Sequence, residues 1–124
     1  MIVKNIKDLR ENSIEWGNGI STRFLLEKDN LGFTVTHTTI NAGSVSKMEY
    51  KNHLEACYCI DGEGEVEDEF GNKQIISEGV LYALDKHDKH ILRAKTALKL
   101  ICFFTPALTG NEKHELSKTG FSSY

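Results

Sequence analysis

Apolar and polar residues alternate at every second position along much of this chain, the period of a strand rather than of a helix. Residues 33–40 read FTVTHTTI, four threonines among β-branched and aromatic neighbours, a composition that suits a pleated surface. Residues 53–60, HLEACYCI, set His53, Glu55, Cys57 and Cys59 on one face and Leu54, Ala56, Tyr58 and Ile60 on the other. Further short strands are expected at 65–70, 73–76, 80–84, 91–94 and 98–104, parted by Asp61-Gly62, Gly71-Asn72 and Ser77-Glu78-Gly79 turns. A spacing of about 8 to 12 residues is the rhythm of a sandwich or barrel. Only 3–12 and 110–118 are candidates for short helices. The class is all-β, and closure into a barrel would remove the exposed edges of so many short strands.

The length of 124 residues suits one domain with its own core, 1–124, in which 110–124 is a candidate tail or lid. The chain has 15 basic and 18 acidic residues, net charge -3, with neither sign in a long block. Nothing in that balance favours nucleic acid or an anionic membrane. The opening MIVKNIKDLREN is charged too early for a secretory segment, and no apolar run reaches the roughly 20 residues that span a bilayer. A cytoplasmic protein is expected. Its three cysteines, Cys57, Cys59 and Cys102, are read as reduced; a thiolate zinc site would need more Cys or His at ligand spacing.

Three segments carry candidate chemistry. An isolated His-x-Glu is more often a solvated face. Here, however, the same face continues through two cysteines, which prefer burial, so Glu55 is expected to point inward, where a lone carboxylate needs a partner. Residues 82–90, YALDKHDKH, place a phenol and two imidazoles near a strand start; such oxygen and nitrogen donors suit iron or zinc, although spacing alone favours a solvated loop. At 102–114, Cys102 and Phe104 share a face, and a loop after Pro106 carries Glu112 and His114, which can serve as an acid/base pair or a lid; alone, it reads as a charged tail.

Taken together, NHLEACYCIDGEGEVED at 52–68, GVLYALDKHDKHILRA at 79–94 and CFFTPALTG at 102–110 resemble the ectoine synthase family, in order, over residues 1–116. The resemblance implies a single-domain cupin (jelly-roll) β-barrel, usually a homodimer, that holds Fe(II), or another divalent metal in its place, through Glu55, Tyr82 and His90. It implies catalytic roles for Tyr50, His53 and Glu112, and substrate contacts from Arg23, Thr38, Tyr50, Cys102, Phe104, Glu112 and His114. The implied reaction is loss of water from the small molecule N-γ-acetyl-L-2,4-diaminobutyrate to give ectoine, a compatible solute in osmotic stress. Arg23 would pair with the substrate carboxylate.

Two departures bear on this. Where cupins usually carry a histidine pair after a glycine, this chain has Lys47 and Glu49 after Gly43, which argues against cupin oxygenase chemistry. The aromatic residue expected just ahead of Arg23 is replaced by Gly19 and Ile20, and the one tryptophan is Trp16. That altered 16–23 segment keeps two alternatives open: a non-catalytic cupin binding a small zwitterion, and a cupin acting on a related N-acetylated diamine.

Overall fold

The computed structural model describes residues 1–114 and the backbone of a short strand at 122–123. Its strands are β1 (Ser13–Glu15), β2 (Gly19–Leu25), β3 (Thr34–Ile40), β4 (Val45–Glu49), β5 (Leu54–Asp61), β6 (Glu63–Asp68), β7 (Lys73–Ser77), β8 (Leu81–Leu84), β9 (His90–Ala94), β10 (Leu98–Thr105) and β11 (Ser122–Ser123). They divide into a six-stranded sheet, β1-β2-β3-β10-β5-β8, and a five-stranded sheet, β11-β4-β9-β6-β7. Every pairing is antiparallel except β11 on β4. Buried side chains from both sheets form one continuous core, so the expected jelly-roll takes the form of two facing sheets.

Each expected strand lies within about two residues of an observed one, because alternation is a local property that survives into the sheet. On β10, Leu98, Leu100, Cys102 and Phe104 face inward; on β3, Thr34, Thr36, Thr38 and Ile40 do. Fully burying Leu92, Leu98 and Leu100 contributes roughly 1.5–3 kcal/mol for each side chain. Sequence reading did not place β1, β2 or β4. In β2 the buried positions include Ser21, Thr22 and Arg23, and in β4 Ser46 is buried while Val45 is exposed, so polarity there runs against the usual pattern.

The expected helix at 3–12 is two single 3₁₀ turns, Ile6–Asp8 and Arg10–Asn12, and a third lies at Glu27–Asp29. This stretch is strapped to the sheet: Lys4 Nζ donates to Phe24 O at 2.6 Å and pairs with Asp29 at 3.3 Å. No helix forms over 110–114, because the Glu112 carboxylate folds back to accept from Thr109 N and Gly110 N, both at 2.9 Å. The remainder of the expected 110–118 helix, from 115 onward, lies outside the described residues.

Tight approaches explain two glycines. A Cβ on Gly62 (φ +97°) would stand 2.1 Å from Ala97 O, and one on Gly19 would stand 2.2 Å from Thr39 O and 2.9 Å from the Trp16 ring. The register matters for function: Arg23, Thr36, Cys102, Cys57 and Tyr82 form one transverse row across β2, β3, β10, β5 and β8.

Candidate active site

Between the sheets lies a small cavity lined by inward side chains of both. The transverse row forms one wall, with the guanidinium of Arg23 at one end and the phenol of Tyr82 at the other. Eight expected residues line it: Arg23, Thr38, Tyr50, Glu55, Tyr82, Cys102, Phe104 and His114. Those on strands arrive there by alternation, while Tyr50 and His114 come from the segments that follow β4 and β10.

The Arg23 guanidinium, 2% exposed, donates to Gly110 O at 3.1 Å and Glu112 O at 2.7 Å, and its Nε to Ser21 Oγ at 3.4 Å. Among the described residues it meets carbonyls and a hydroxyl but no carboxylate, so its positive charge is left for an anion entering the cavity. It also ties the 110–112 segment down over the sandwich.

Tyr50 Oη and His114 Nε2 stand 2.8 Å apart, and Phe104 meets the Tyr50 ring edge-on at 5.1 Å. Burial, then the charges of His90 and Arg23, push His114 down to about 3, so its imidazole is neutral at physiological pH. His53 lies behind this layer: its Nδ1 donates to Pro106 O at 2.7 Å and its ring packs edge-on to Phe104 at 6.4 Å, outside the cavity lining. Glu112 is likewise outside. Its carboxylate accepts from Thr109 N, Thr109 Oγ1 and Gly110 N; burial pushes its carboxyl up, but these donors outweigh that and hold it below the usual range.

Glu55, 6% exposed, is pushed up to about 8 by burial, against the smaller opposing effect of hydrogen bonds from Cys57 and Cys102. Tyr82 is raised first by burial and then by Cys57, Glu55 and Cys102, and Cys57 first by burial and then by Cys102 and Glu55, against the smaller opposing effect of its hydrogen bond with Tyr82. His90 is on the opposite sheet. It occupies the same inward face of β9 as Leu92, which lines the cavity, and its ring centroid is 5.9 Å from that of Tyr50. Its Nδ1 donates to Asp88 O at 2.9 Å, which fixes the tautomer and leaves Nε2 a bare, buried lone pair with no partner among the described residues.

Candidate metal donors are therefore a carboxyl and a phenol that form no ion pair with lysine or arginine among the described residues, and, on the other sheet, the unpartnered imidazole nitrogen of His90. These residues fit a divalent ion. Among the described His, Cys, Asp and Glu side chains, however, the trio with ligand atoms within 4.8 Å of one another is Glu55, Cys57 and Cys102, and His90 stands outside it.

Cavity residues absent from the expected set include Ser21, Thr36, Cys57 and Trp16. Alternation points to the first three, which lie two positions from Arg23, Thr38 and Glu55. Trp16 has no local signal: its indole reaches the wall by folding over Gly19, and its Nε1 is buried without a partner among the described residues. An aromatic ring thus reaches the wall beside Gly19 from three positions before it.

Comparison with known proteins agrees with this geometry. The family model described as "Ectoine synthase" matches residues 1–121. The L-ectoine synthase of Oceanobacillus iheyensis is 47% identical over 118 residues, covering 93% of this chain and 92% of that protein. That of a Marinomonas species is 57% identical over 99 residues, covering 79% and 77%. The crystal structure of ectoine synthase from P. lautus superposes with a TM-score of 0.86 at 45% identity, covering 89% of this chain and 81% of that one. An RmlC-like cupin from Shewanella frigidimarina, 16% identical, covers 86% of this chain and 92% of its own at a TM-score of 0.70, and shares the fold alone. A cupin sandwich whose cavity joins an unneutralised guanidinium to a buried carboxyl and phenol, matched over nearly its whole length, belongs to the ectoine synthase family.

Proposed function

We propose that this protein is a lyase that closes N-γ-acetyl-L-2,4-diaminobutyrate to ectoine with loss of one water. The observation that carries the reading is the transverse row, which sets a buried cation and a buried acid cluster at opposite ends of one small cavity. A substrate with a carboxylate at one end and an acetamide at the other lies along it. Arg23 receives the carboxylate as a two-pronged donor. The apolar wall of Phe104, Leu92, Leu100 and Trp16 excludes water and folds the chain so that the α-amine meets the acetyl carbon.

The α-nitrogen must attack as a neutral amine, and transfer into this cavity lowers an ammonium pKa in that direction. Nitrogen then bonds to the acetyl carbon, the two protons it carries are lost, and the former carbonyl oxygen departs as water, leaving the cyclic amidine. The joined Tyr50 hydroxyl and neutral His114 can accept a proton at one atom while giving one up at the other, so no charge is stranded. Glu112 and His53 act in this reading through position: Glu112 shapes the 109–112 turn that Arg23 grips, and His53 anchors Pro106 behind Phe104. A divalent ion, Fe(II) in this reading, would be held by Glu55, Tyr82 and His90 and would supply Lewis-acid polarisation of the acetyl oxygen. With Trp16 filling the place beside Gly19, the pocket keeps an aromatic wall, which supports diaminobutyrate over a related diamine.

The same reading includes a homodimer in the cytoplasm. Support comes from the outer face of the six-stranded sheet, where Leu54, Tyr58, Leu81 and Phe103 are exposed on the adjacent strands β5, β8 and β10, with Ala56 and Ala83 between them. No helix among the described residues is long and apolar enough to cross a membrane.

The test is anaerobic incubation of the Fe(II)-loaded protein with N-γ-acetyl-L-2,4-diaminobutyrate, with ectoine followed by chromatography beside a chelated control. Chelator-sensitive product supports the reading. Metal-loaded protein that binds the substrate and returns it unchanged removes the lyase.

A further inference from the structure

Of the two imidazoles in residues 82–90, His90 enters the proposed ligand set and His87 does not. His87 lies on the exposed link between β8 and β9, yet its backbone takes φ +55°, in the left-handed region. Among the described residues, Asn30 and His87 are the non-glycine residues found there, and Asn30 closes the 3₁₀ turn at Glu27–Asp29. A residue with a Cβ enters that region sparingly and stays where its surroundings hold it. What His87 meets is the main chain of Tyr50: its Nδ1 donates to Tyr50 O at 2.7 Å. We propose that His87 is a positioning residue, whose ring ties down the Tyr50 main chain and thereby sets the place of the Tyr50 hydroxyl in the cavity. This rests on the lyase reading above, in which Tyr50 and His114 move protons.

Strand pairing shows why a tie is needed at this point. The antiparallel ladder of β4 and β9 runs from Val45 opposite Arg93 to Met48 opposite His90, where it ends. Past that pair the two chains part, one running on to Tyr50 and the other arriving through 85–89. The His87 imidazole spans the gap, so a side chain gives Tyr50 O what a backbone N–H gives the carbonyls of a ladder. The link is stiff on its own side: Asp88 Oδ1 accepts from Lys86 N at 3.0 Å, and Asp88 O accepts from His90 Nδ1 at 2.9 Å. One loop therefore holds Tyr50 through His87 and His90 through a carbonyl, and the two rings it holds have centroids 5.9 Å apart.

Tyr50 is 4% exposed, with its hydroxyl 2.8 Å from His114 Nε2 and its ring edge-on to Phe104. The link from Tyr50 to β5 is tied at both ends by imidazoles, His87 on Tyr50 O and His53 on Pro106 O, while Lys51 and Asn52 between them are exposed. Proton transfer tolerates little displacement, since about 1 Å of misplacement can cost on the order of 100-fold in rate. His87 itself does not line the cavity, and Arg23 anchors the substrate without it. Losing the tie therefore acts on the chemical step rather than on binding.

Because a carbonyl only accepts, Nδ1 carries the proton. Asparagine places an amide N–H where that Nδ1–H stands and suits left-handed backbone; glutamine reproduces the Nε2 end instead; glycine takes the same φ freely and offers no tie.

The experiment compares His87→Gly, His87→Asn and His87→Gln in the full chain. One readout is steady-state kinetics of the Fe(II)-loaded protein on N-γ-acetyl-L-2,4-diaminobutyrate, with bound iron counted by elemental analysis. The other, on chelated protein, is NMR of carbon-13-labelled tyrosine rings, with Tyr50→Phe identifying the Tyr50 signal among the four tyrosines. His87→Gly is expected to lower kcat about tenfold or more at equal iron with KM within about twofold, His87→Asn to return within about threefold of wild type, and His87→Gln to stay low. The Tyr50 signal should move in His87→Gly and His87→Gln and return in His87→Asn, while that of Tyr58, on the outer sheet face, stays in place. Thermal unfolding shows which variants fold, and the asparagine and glutamine pair carries the comparison if glycine loosens the link. Unchanged kcat or an unmoved Tyr50 signal in His87→Gly overturns the inference. Equal losses in His87→Asn and His87→Gln overturn it by assigning the effect to the loop rather than to the hydrogen bond, and iron lost in step with kcat overturns it by placing the effect at His90. A wild type that binds the substrate and returns it unchanged removes the lyase instead, and the Tyr50 signal then decides by itself whether His87 sets the place of that ring.

Discussion

Glu55 shows how one buried residue sets a pH dependence. Its carboxyl, ordinarily near 4.5, is raised to about 8, so with the metal chelated the folded protein keeps a proton that the unfolded chain releases. That contribution to stability is fully present below about 4.5 and is lost as pH rises through about 8. Urea unfolding of chelated protein should show stability falling between these limits, and Glu55→Gln should flatten that fall. An equal slope in the variant would move the titration to another group. Arg23 carries the opposite charge. Arg23→Lys keeps the charge but not the fork, and losing one charged hydrogen bond, about 1.5–3 kcal/mol, should lower kcat/KM by roughly 10- to 100-fold, largely through KM. Steady-state kinetics on the substrate would check this, and a variant with wild-type KM would place the carboxylate elsewhere.

Two elements close the site, and each offers its own test. Residues 110–114 are held by Arg23 and by His114 against Tyr50. Because His114 is lowered to about 3 from its ordinary 6.5, its contribution is present above about 6.5 and is lost as pH falls, when the open state takes a proton that the closed state refuses. Amide exchange in 110–114, corrected for intrinsic rates, should therefore speed up between pH 7 and pH 5, and His114→Gln should remove that acceleration. The β1–β2 turn is the second element. A Cβ at Gly19 meets both Thr39 O and the Trp16 ring, so Gly19→Ala should cost about 1–3 kcal/mol and turn the indole out of the wall. The single tryptophan makes that visible as a red-shifted emission, and unchanged emission would mean that the ring had another support. Strands β3, β5 and β10 were legible in the chain, β3 through its β-branched and aromatic composition and β5 and β10 through their alternation. Strands β2 and β4 were not, because their buried positions include Ser21, Thr22, Arg23 and Ser46 while Ile20 and Val45 are exposed, so polarity there does not report direction.

At the scale of the molecule, one sheet face lines the cavity and its reverse exposes Leu54, Tyr58, Leu81 and Phe103. If that face buries a second copy, Phe103→Asp should shift the sedimentation coefficient to that of a monomer while leaving the cavity wall in place, since residue 103 points away from it. A wild-type protein that sediments as a monomer would dismiss the interface. The chain by itself determined the class, most strand positions and the inward direction of Glu55, because period-two alternation is written in neighbouring residues and needs no knowledge of partners. Recognition of the family motifs added the expected site, and eight of those residues do converge on one cavity. Only the tertiary structure decided which groups share that cavity. Cys57 meets Cys102 through strand register, His90 comes from the other sheet to lie beside Tyr50, and Trp16 reaches the cavity wall by folding over Gly19. These are long-range pairings, and spacing along a sequence carries no record of which strand lies opposite which.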